Sequence, residues 1–215
     1  MSDKLSAQAS NPGPCPEVRP ETAGLGVLGS ATVRAPGSCG ELVQGINGQG
    51  YFLVSCPVDF YSQVKVELRQ PETQGIGGGE IGIEISPGLG KTARAVKAAL
   101  AHLNRTGLNA RVEVRNPIPR SKGLGSSSAD VTAAIAATAL ALGRELDPEE
   151  IARLAVTVEP TDGVMFPGIA IFDHRDGNTM EVLGGAPPME IVALDFGGTV
   201  DTLEFNRTDR KRLWE

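Results

Sequence analysis

The stretch Pro117-Ile118-Pro119-Arg120-Ser121-Lys122-Gly123-Leu124-Gly125-Ser126-Ser127-Ser128-Ala129-Asp130 constrains the fold of this chain more than any other. A strand-like run, Ala110 to Asn116, leads into it, and an alanine-rich segment, Val131 to Leu142, leads out. The two prolines end the strand because neither can donate to a ladder, and Gly123 and Gly125 admit backbone angles that a β-carbon would forbid. The expected order is strand, tight loop, helix. Where the loop becomes helix, the first-turn N–H groups lack intrahelical partners and the helix dipole adds partial positive charge. Such a place binds anions, phosphate above all. The three serines can cap the helix, hydrogen-bond a phosphate or ligate a magnesium ion, and Lys122 supplies a nearby cation.

Two familiar phosphate motifs do not describe this string. A Walker loop wants a lysine and then Ser or Thr after its last glycine, and the dinucleotide fingerprint wants a third glycine that is not there. A second string, Gly88-Leu89-Gly90-Lys91-Thr92, has the right ending for a Walker loop, but the required first glycine falls at Ile85, so it is rejected. Lys91 to Leu103 instead reads as a helix with an apolar stripe of Ala95, Val96, Ala99, Leu100 and Leu103. His102 on that helix reads as a surface or packing residue.

The 215 residues are 40% apolar with a formal net charge of -6, which suits a globular domain, or one domain with part of a second. The acidic balance, with no cluster of lysine and arginine, argues against a nucleic-acid surface. No apolar run reaches membrane-spanning length, so no membrane association is expected. Cys15, Cys39 and Cys56 follow no metal or disulfide spacing and read as reduced thiols, with cytoplasmic location as the default.

Residues 1–29 are rich in proline, serine and glycine without amphipathic period, and read as a disordered or loosely attached extension. Ala31 to Arg34 reads as a strand, Ala35 to Gly45 as a loop, and Tyr51–Pro57 and Ser62–Arg69 as two strands, the latter with Val64, Val66 and Leu68 on its buried face. Gln74 to Gly79 reads as a hairpin loop before a strand of Ile81, Ile83 and Ile85. Asp147-Pro148-Glu149-Glu150 is a helix start with a capping box, and the helix runs through Val156. It delivers Glu159 and Asp162 at its carboxyl end, where the dipole does not favour them and a cation would. One or two carboxylates with phosphate oxygens and water suit Mg²⁺, and phosphoryl transfer needs a group to orient or deprotonate the attacking hydroxyl. Gly168 to Gly177 reads as a strand and turn, and Met189 to Phe196 as another strand. Gly197-Gly198 reads as a turn, followed by a short helix from Thr208.

Pro119, Gly123, Leu124, Gly125, Ser126, Ser127, Ser128 and Ala129 resemble the phosphate loop of the GHMP kinases, the family of galactokinase, homoserine kinase and mevalonate kinase. Ala35-Pro36-Gly37 with Gly40-Glu41 resembles that family's first motif. The resemblance implies an α+β fold: an amino-terminal domain over 30–185, with a mixed sheet and helices packed on one face, then the start of a carboxyl-terminal α+β domain over 186–215. It implies ATP across the loop from Gly123 to Ser128, Mg²⁺ on Ser127 (or Ser126) and Glu159, and Asp162 as the base. Ser38, Glu41 and Gln44 would hold the substrate. Several relatives carry lysine or arginine after Ala-Pro-Gly, where this chain has Ser38, and the change favours a different small substrate.

Ser38-Cys39-Gly40-Glu41-Leu42-Val43-Gln44-Gly45, Glu159-Pro160-Thr161-Asp162-Gly163 and Phe172-Asp173-His174-Arg175-Asp176-Gly177 narrow the resemblance. They look like those of bacterial kinases that make O-phospho-L-threonine from ATP and L-threonine for cobalamin biosynthesis. This likeness covers Ala31 to about Asn206. His174 is either an active-site neighbour or a stabiliser of its turn. The family's third glycine-rich motif is not found, so the carboxyl-terminal domain reads as truncated. A nucleotide- or amino-acid-binding fragment, or a kinase for another small alcohol such as homoserine, are the competing readings.

Overall fold

The computed structural model describes residues 4–8, 15–17, 26–48, 50–71 and 82–198. Two short strands, β1 (Lys4–Gln8) and β2 (Cys15–Glu17), precede a long antiparallel ribbon made of β3 (Val27–Asn47) and β4 (Gly50–Arg69). There follow β5 (Ile83–Glu84), α1 (Gly90–His102), β6 (Asn109–Arg115), α2 (Ser126–Ala141) and α3 (Pro148–Val158), then β7 (Ile169–Phe172), β8 (Met180–Gly184) and β9 (Glu190–Leu194). The class is α+β, with a mixed sheet in the order β2-β3-β4-β6-β5 and β7 and β8 joined to it through β4. Only the β5–β6 pairing is parallel among the described strands.

The ribbon forms because its apolar residues alternate in register. Val33 faces Val64 and Ala31 faces Val66, all four buried, while Lys65 and Glu67 point to the other face. Burying a valine side chain contributes about 1.5–3 kcal/mol, so these pairs fix the register. Two expectations are corrected here. The segment Ala35 to Gly45 is a bulged part of β3 rather than a loop, and the two runs Tyr51–Pro57 and Ser62–Arg69 are one strand. Register shifts at Pro36/Gly37, Ser38/Glu41 and Glu41/Val43 absorb the prolines and glycines without ending the pairing, and Gly40 takes the left-handed φ of +61° within them.

On the side away from β3, β4 forks. Leu53 to Ser55 pair with β7, and Gln63 to Arg69 pair with β6. The bulges of β3 register against the stretch between these two ladders, from Ser55 to Tyr61. This divergence opens the space in which the site forms.

The expected disordered extension is also corrected where it is described: β1 pairs with β9 in a separate two-stranded sheet, and β2 pairs with Thr32 to Arg34 of β3. An edge strand with unpaired N–H and C=O groups accepts such an addition whatever the composition of the added segment. Regular structure in the main ribbon begins at Val27, three residues before the expected Ser30. The strand β8 has no counterpart in the sequence reading. The glycine-rich hairpin at 74–79 and the helix from Thr208 lie outside the described residues.

One face of the sheet carries α2, with α1 and α3 packed against it. Only Ser127 and Leu140 of the 16 residues of α2 are not buried. A helix covered on all sides must let its neighbours approach closely, and its run of alanines does so. α3 starts with the expected capping box: the Glu150 N–H donates to Asp147 Oδ1 at 2.7 Å and the Asp147 N–H to Glu150 Oε2 at 3.1 Å. His102 is exposed on α1 with Nε2 3.5 Å from the Glu150 carboxylate, a surface residue as expected. No helix among the described residues is long and apolar enough to cross a membrane.

The close fit of α2 on β3 is testable at Gly29. A Cβ there would lie 2.0 Å from the Ala141 carbonyl oxygen, so the strand or the helix end must move. Gly29→Ala is expected to destabilise the fold by about 1–3 kcal/mol, as overpacking does, seen as a lower urea midpoint with unchanged slope.

Candidate functional site

The site is assembled around the amino terminus of α2. Its N-cap is Gly125, in the left-handed conformation at φ 64°, and no side chain caps the first turn. The serines therefore do not cap this helix, contrary to one of the roles expected for them. The first intrahelical bond runs from the Ala129 N–H to the Gly125 carbonyl at 2.9 Å. The N–H groups of Ser126, Ser127 and Ser128 thus have no intrahelical acceptor, and with the dipole they give this helix end donors and partial positive charge that suit an anion.

The serine hydroxyls turn sideways instead. Ser126 donates to the Ile118 carbonyl at 3.2 Å, Ser127 donates to Glu159 Oε1, and Ser128 Oγ accepts the Asp162 N–H at 3.1 Å. The loop is thereby tied to its own entry strand and to the acidic turn that ends α3. Glu159 is the C-cap of α3 and is buried. It is brought against Ser127.

The bulge of β3 closes the other side. The Ser38 N–H donates to the Leu124 carbonyl and the Gly40 N–H to the Gly123 carbonyl, both at 3.1 Å. Ser38 Oγ then donates to Asp162 Oδ2 at 2.6 Å. A Cβ on Gly125 would stand 2.6 Å from Ser38 Oγ, 2.8 Å from Ser38 N and 2.9 Å from Asp162 Oδ2, so only glycine fits between the two. Burial pushes the Asp162 carboxyl up to about 6; the Ser38 hydrogen bond opposes this, and the charges of Glu41 and Glu159 add to it.

Glu41 is exposed and stands opposite Ser55, whose hydroxyl accepts the Gly163 N–H at 2.9 Å. Its charge reaches Asp162. Gln44 lies farther along, opposite Leu53, and takes no part in the polar contacts of Asp162 or Glu159. Pro119 is half-buried at the loop entry. Lys122 is engaged elsewhere: its ammonium contacts Asp195 at 2.8 and 2.9 Å and the Gly198 carbonyl at 2.7 Å, and this holds Asp195 below the usual carboxylate range.

The cation at the acids is one the sequence reading discards. Lys91, from the rejected Walker-like string, pairs with Glu159 Oε2. The sequence reading asks for a cation at this helix end without naming it.

A second missed group lies beneath the loop. Asp130 is buried on α2; its Oδ1 accepts from Ser62 Oγ at 2.5 Å and from Asn116 Nδ2 at 2.7 Å, with Arg120 at 3.8 Å from Oδ2. Asn116 also bonds the Ser126 carbonyl at 3.0 Å and, through Oδ1, accepts the Ile118 N–H at 2.8 Å. Burial raises the Asp130 carboxyl, and the bonds from Ser62 and Asn116 oppose the rise. A lone charged residue in an otherwise uncharged, alanine-rich helix is the signal that marks it.

His174 is buried, its ring edge-on to Tyr51 at 6.1 Å, and its carbonyl accepts the Thr161 N–H at 3.1 Å, which ties the end of β7 to the acidic turn. Cys39 and Cys56 are free thiols, both raised by burial.

Among the described residues no three His, Cys, Asp or Glu side chains converge as a metal site. A buried carboxylate whose partners are a hydroxyl and the ammonium of a partly exposed lysine, beside open N–H groups, fits the smaller demand of Mg²⁺, which takes one or two carboxylates and finds its other ligands on phosphate and water.

Residues 89–169 match the family model described as GHMP kinases N terminal domain. This segment belongs to the GHMP kinase family. The GHMP domain and its surroundings are 37% identical over 186 residues to an L-threonine kinase of Salmonella typhimurium, covering 85% of this chain and 57% of that protein. A homoserine kinase of Corynebacterium efficiens is 31% identical over 166 residues, covering 75% of this chain and 47% of that protein. The chain thus spans little more than half the length of the first of these relatives. A crystal structure of mevalonate kinase superposes with a TM-score of 0.54 at 21% identity, covering 72% of this chain and 56% of that one, a likeness of fold.

Two outcomes follow for the GHMP site. Gly125→Val is expected to abolish nucleotide binding in calorimetry, because the side chain meets Ser38 and Asp162 and resists the left-handed angle. For Asp162, the raised folded value favours the protonated form, so its stabilising effect is fullest below 3.8 and declines as pH rises to about 6. Asp162→Asn is expected to be more stable than the parent at pH 8, by up to roughly 3 kcal/mol, with the gap closing below pH 4 in thermal melts.

Proposed function

We propose that this chain carries the nucleotide-binding part and the reacting acid of an ATP-dependent kinase that phosphorylates the side-chain hydroxyl of L-threonine, giving O-phospho-L-threonine for cobalamin biosynthesis. The observation that carries this reading is the meeting of three things at Gly125: the open amino terminus of α2, the Ser127–Glu159 pair, and Asp162 held by Ser38.

ATP lies along Gly123 to Ser128, with the free N–H groups of α2 facing its phosphates and Pro119 and Leu124 shaping the loop. Ser127 and Glu159 would hold Mg²⁺, which when bound would supply positive charge against the phosphates. Asp162 takes the proton of the threonine hydroxyl as the oxygen forms a bond to the γ-phosphorus and the bond from that phosphorus to the β,γ-bridging oxygen breaks; ADP leaves. A carboxyl with a pKa of about 6 is well matched to this work near neutral pH. The Ser38 hydroxyl fixes one carboxylate oxygen and leaves lone pairs for the substrate. Glu41, exposed on the bulge, receives the α-ammonium group of the amino acid, and Gln44 lines the same side.

The 37% identity to a threonine kinase supports threonine as acceptor, and the similarity to a homoserine kinase sets the comparison to be made. A coupled ADP-release assay with threonine, homoserine and serine decides between them, run on this chain and on a chain extended with a carboxyl-terminal domain. The expected order is threonine first; release that is equal or greater with homoserine overturns the substrate. Asp162→Asn is expected to lower kcat about a hundredfold to ten-thousandfold with ATP binding nearly unchanged. Turnover like that of the parent removes Asp162 from the chemistry.

A further inference from the structure

Four carboxylates gather around the amino-terminal end of α2: the charge of Glu159 acts on both Asp130 and Asp162, and that of Glu41 on Asp162. An ATP phosphate chain entering such a place needs positive charge beyond that of the helix dipole and one divalent ion. The loop's own Lys122 is tied to Asp195 and Gly198. The first turn of α1 provides an alternative. Lys91 pairs with Glu159, and Arg94, three residues on, donates to the Val158 carbonyl at 3.2 Å, so two cations of α1 address the end of α3. The two partners of the Lys91 pair differ in freedom: the Glu159 side chain is 6% exposed and the Lys91 side chain 39%. Ser127 holds the other Glu159 oxygen, so the carboxylate keeps its direction when the ammonium leaves.

We propose that Lys91 is a phosphate-binding residue that exchanges partners: without nucleotide it neutralises Glu159, and when the metal-nucleotide complex takes Glu159 the ammonium turns to the phosphate oxygens. This rests on the kinase reading above. The ammonium stands in for the metal in the free protein, sparing the buried carboxylate an unpaired charge, and its long flexible stem gives it the reach to change partners. Its neighbours Gly88, Leu89 and Gly90 carry no charge that would hold it back.

Calorimetry with ATP, in magnesium buffer and in EDTA, tests this on the parent, Lys91→Met, Lys91→Arg and Glu159→Gln. Lys91→Met is expected to weaken Mg-ATP binding about tenfold or more, and Lys91→Arg to restore most of it. Glu159→Gln, which frees the ammonium without removing it, is expected to bind ATP in EDTA several times more tightly than the parent. A merely structural ion pair predicts the reverse pattern: both Lys91→Met and Glu159→Gln melt lower and neither gains or loses ATP affinity in EDTA. Parent-like Mg-ATP binding by Lys91→Met overturns the proposal while leaving the kinase reading standing. If Lys91→Met does not fold, Glu159→Gln with no gain in EDTA overturns it instead. Absence of Mg-ATP binding in the parent itself overturns both.

Discussion

Two backbone hydrogen bonds, from Ser38 to Leu124 and from Gly40 to Gly123, hold the site together. They join the bulge of one long strand to the turn before the buried helix, two segments separated by more than eighty residues. Because the contact is made by main chain, it places the Ser38 side chain at Asp162 and forces a glycine at 125, where a Cβ has no room. The left-handed N-cap, the open first turn and the position of Asp162 all follow from it. The bulges that make it are the means by which a strand containing Pro36, Gly37 and Gly40 stays paired with β4.

The electrostatics of the site is a problem of like charges. The amino-terminal end of α2 is surrounded by carboxylates withdrawn from solvent, and each is answered by a different device. Asp130 is satisfied by Ser62 and Asn116, Asp162 by the Ser38 hydroxyl and a raised pKa, and Glu159 by Lys91 and Ser127. Asp130 also has the exposed Arg120 3.8 Å from Oδ2, but it keeps Ser62 and Asn116 as hydrogen-bond donors, whereas Glu159 leans on the partly exposed Lys91 directly and is the acid whose cation a metal could replace without leaving a buried charge unmatched.

Local chemistry was readable from sequence. The prolines and glycines of the phosphate loop, the capping box of α3 and the stripe of α1 act over a few residues and occur where their physics requires. The ribbon was misread because Pro and Gly in Ala35 to Gly45 are ordinarily breakers, whereas here pairing with β4 outweighs local preference. Lys91 was overlooked because its partner lies 68 residues away, and the motif test that rightly denied it a Walker loop said nothing of where α1 would carry it. Asp130 and Ser62 form a similar pair across α2 and β4. Side chains that matter through a distant partner leave little trace in a window of sequence.

The fork in β4 has a bearing on how such a chain can change over time. One strand serves as the common ruler for three ladders, β3 along its length, β7 at Leu53 to Ser55 and β6 at Gln63 to Arg69. Inserting or deleting a single residue between the two shorter ladders would invert the inward and outward sides of one relative to the other, and would carry the acidic turn, anchored at Ser55, away from the phosphate loop, anchored through Ser62. Length is therefore frozen from Ser55 to Ser62. Variation in length has room at the hairpin end of the ribbon, past the Asn47–Gly50 pair.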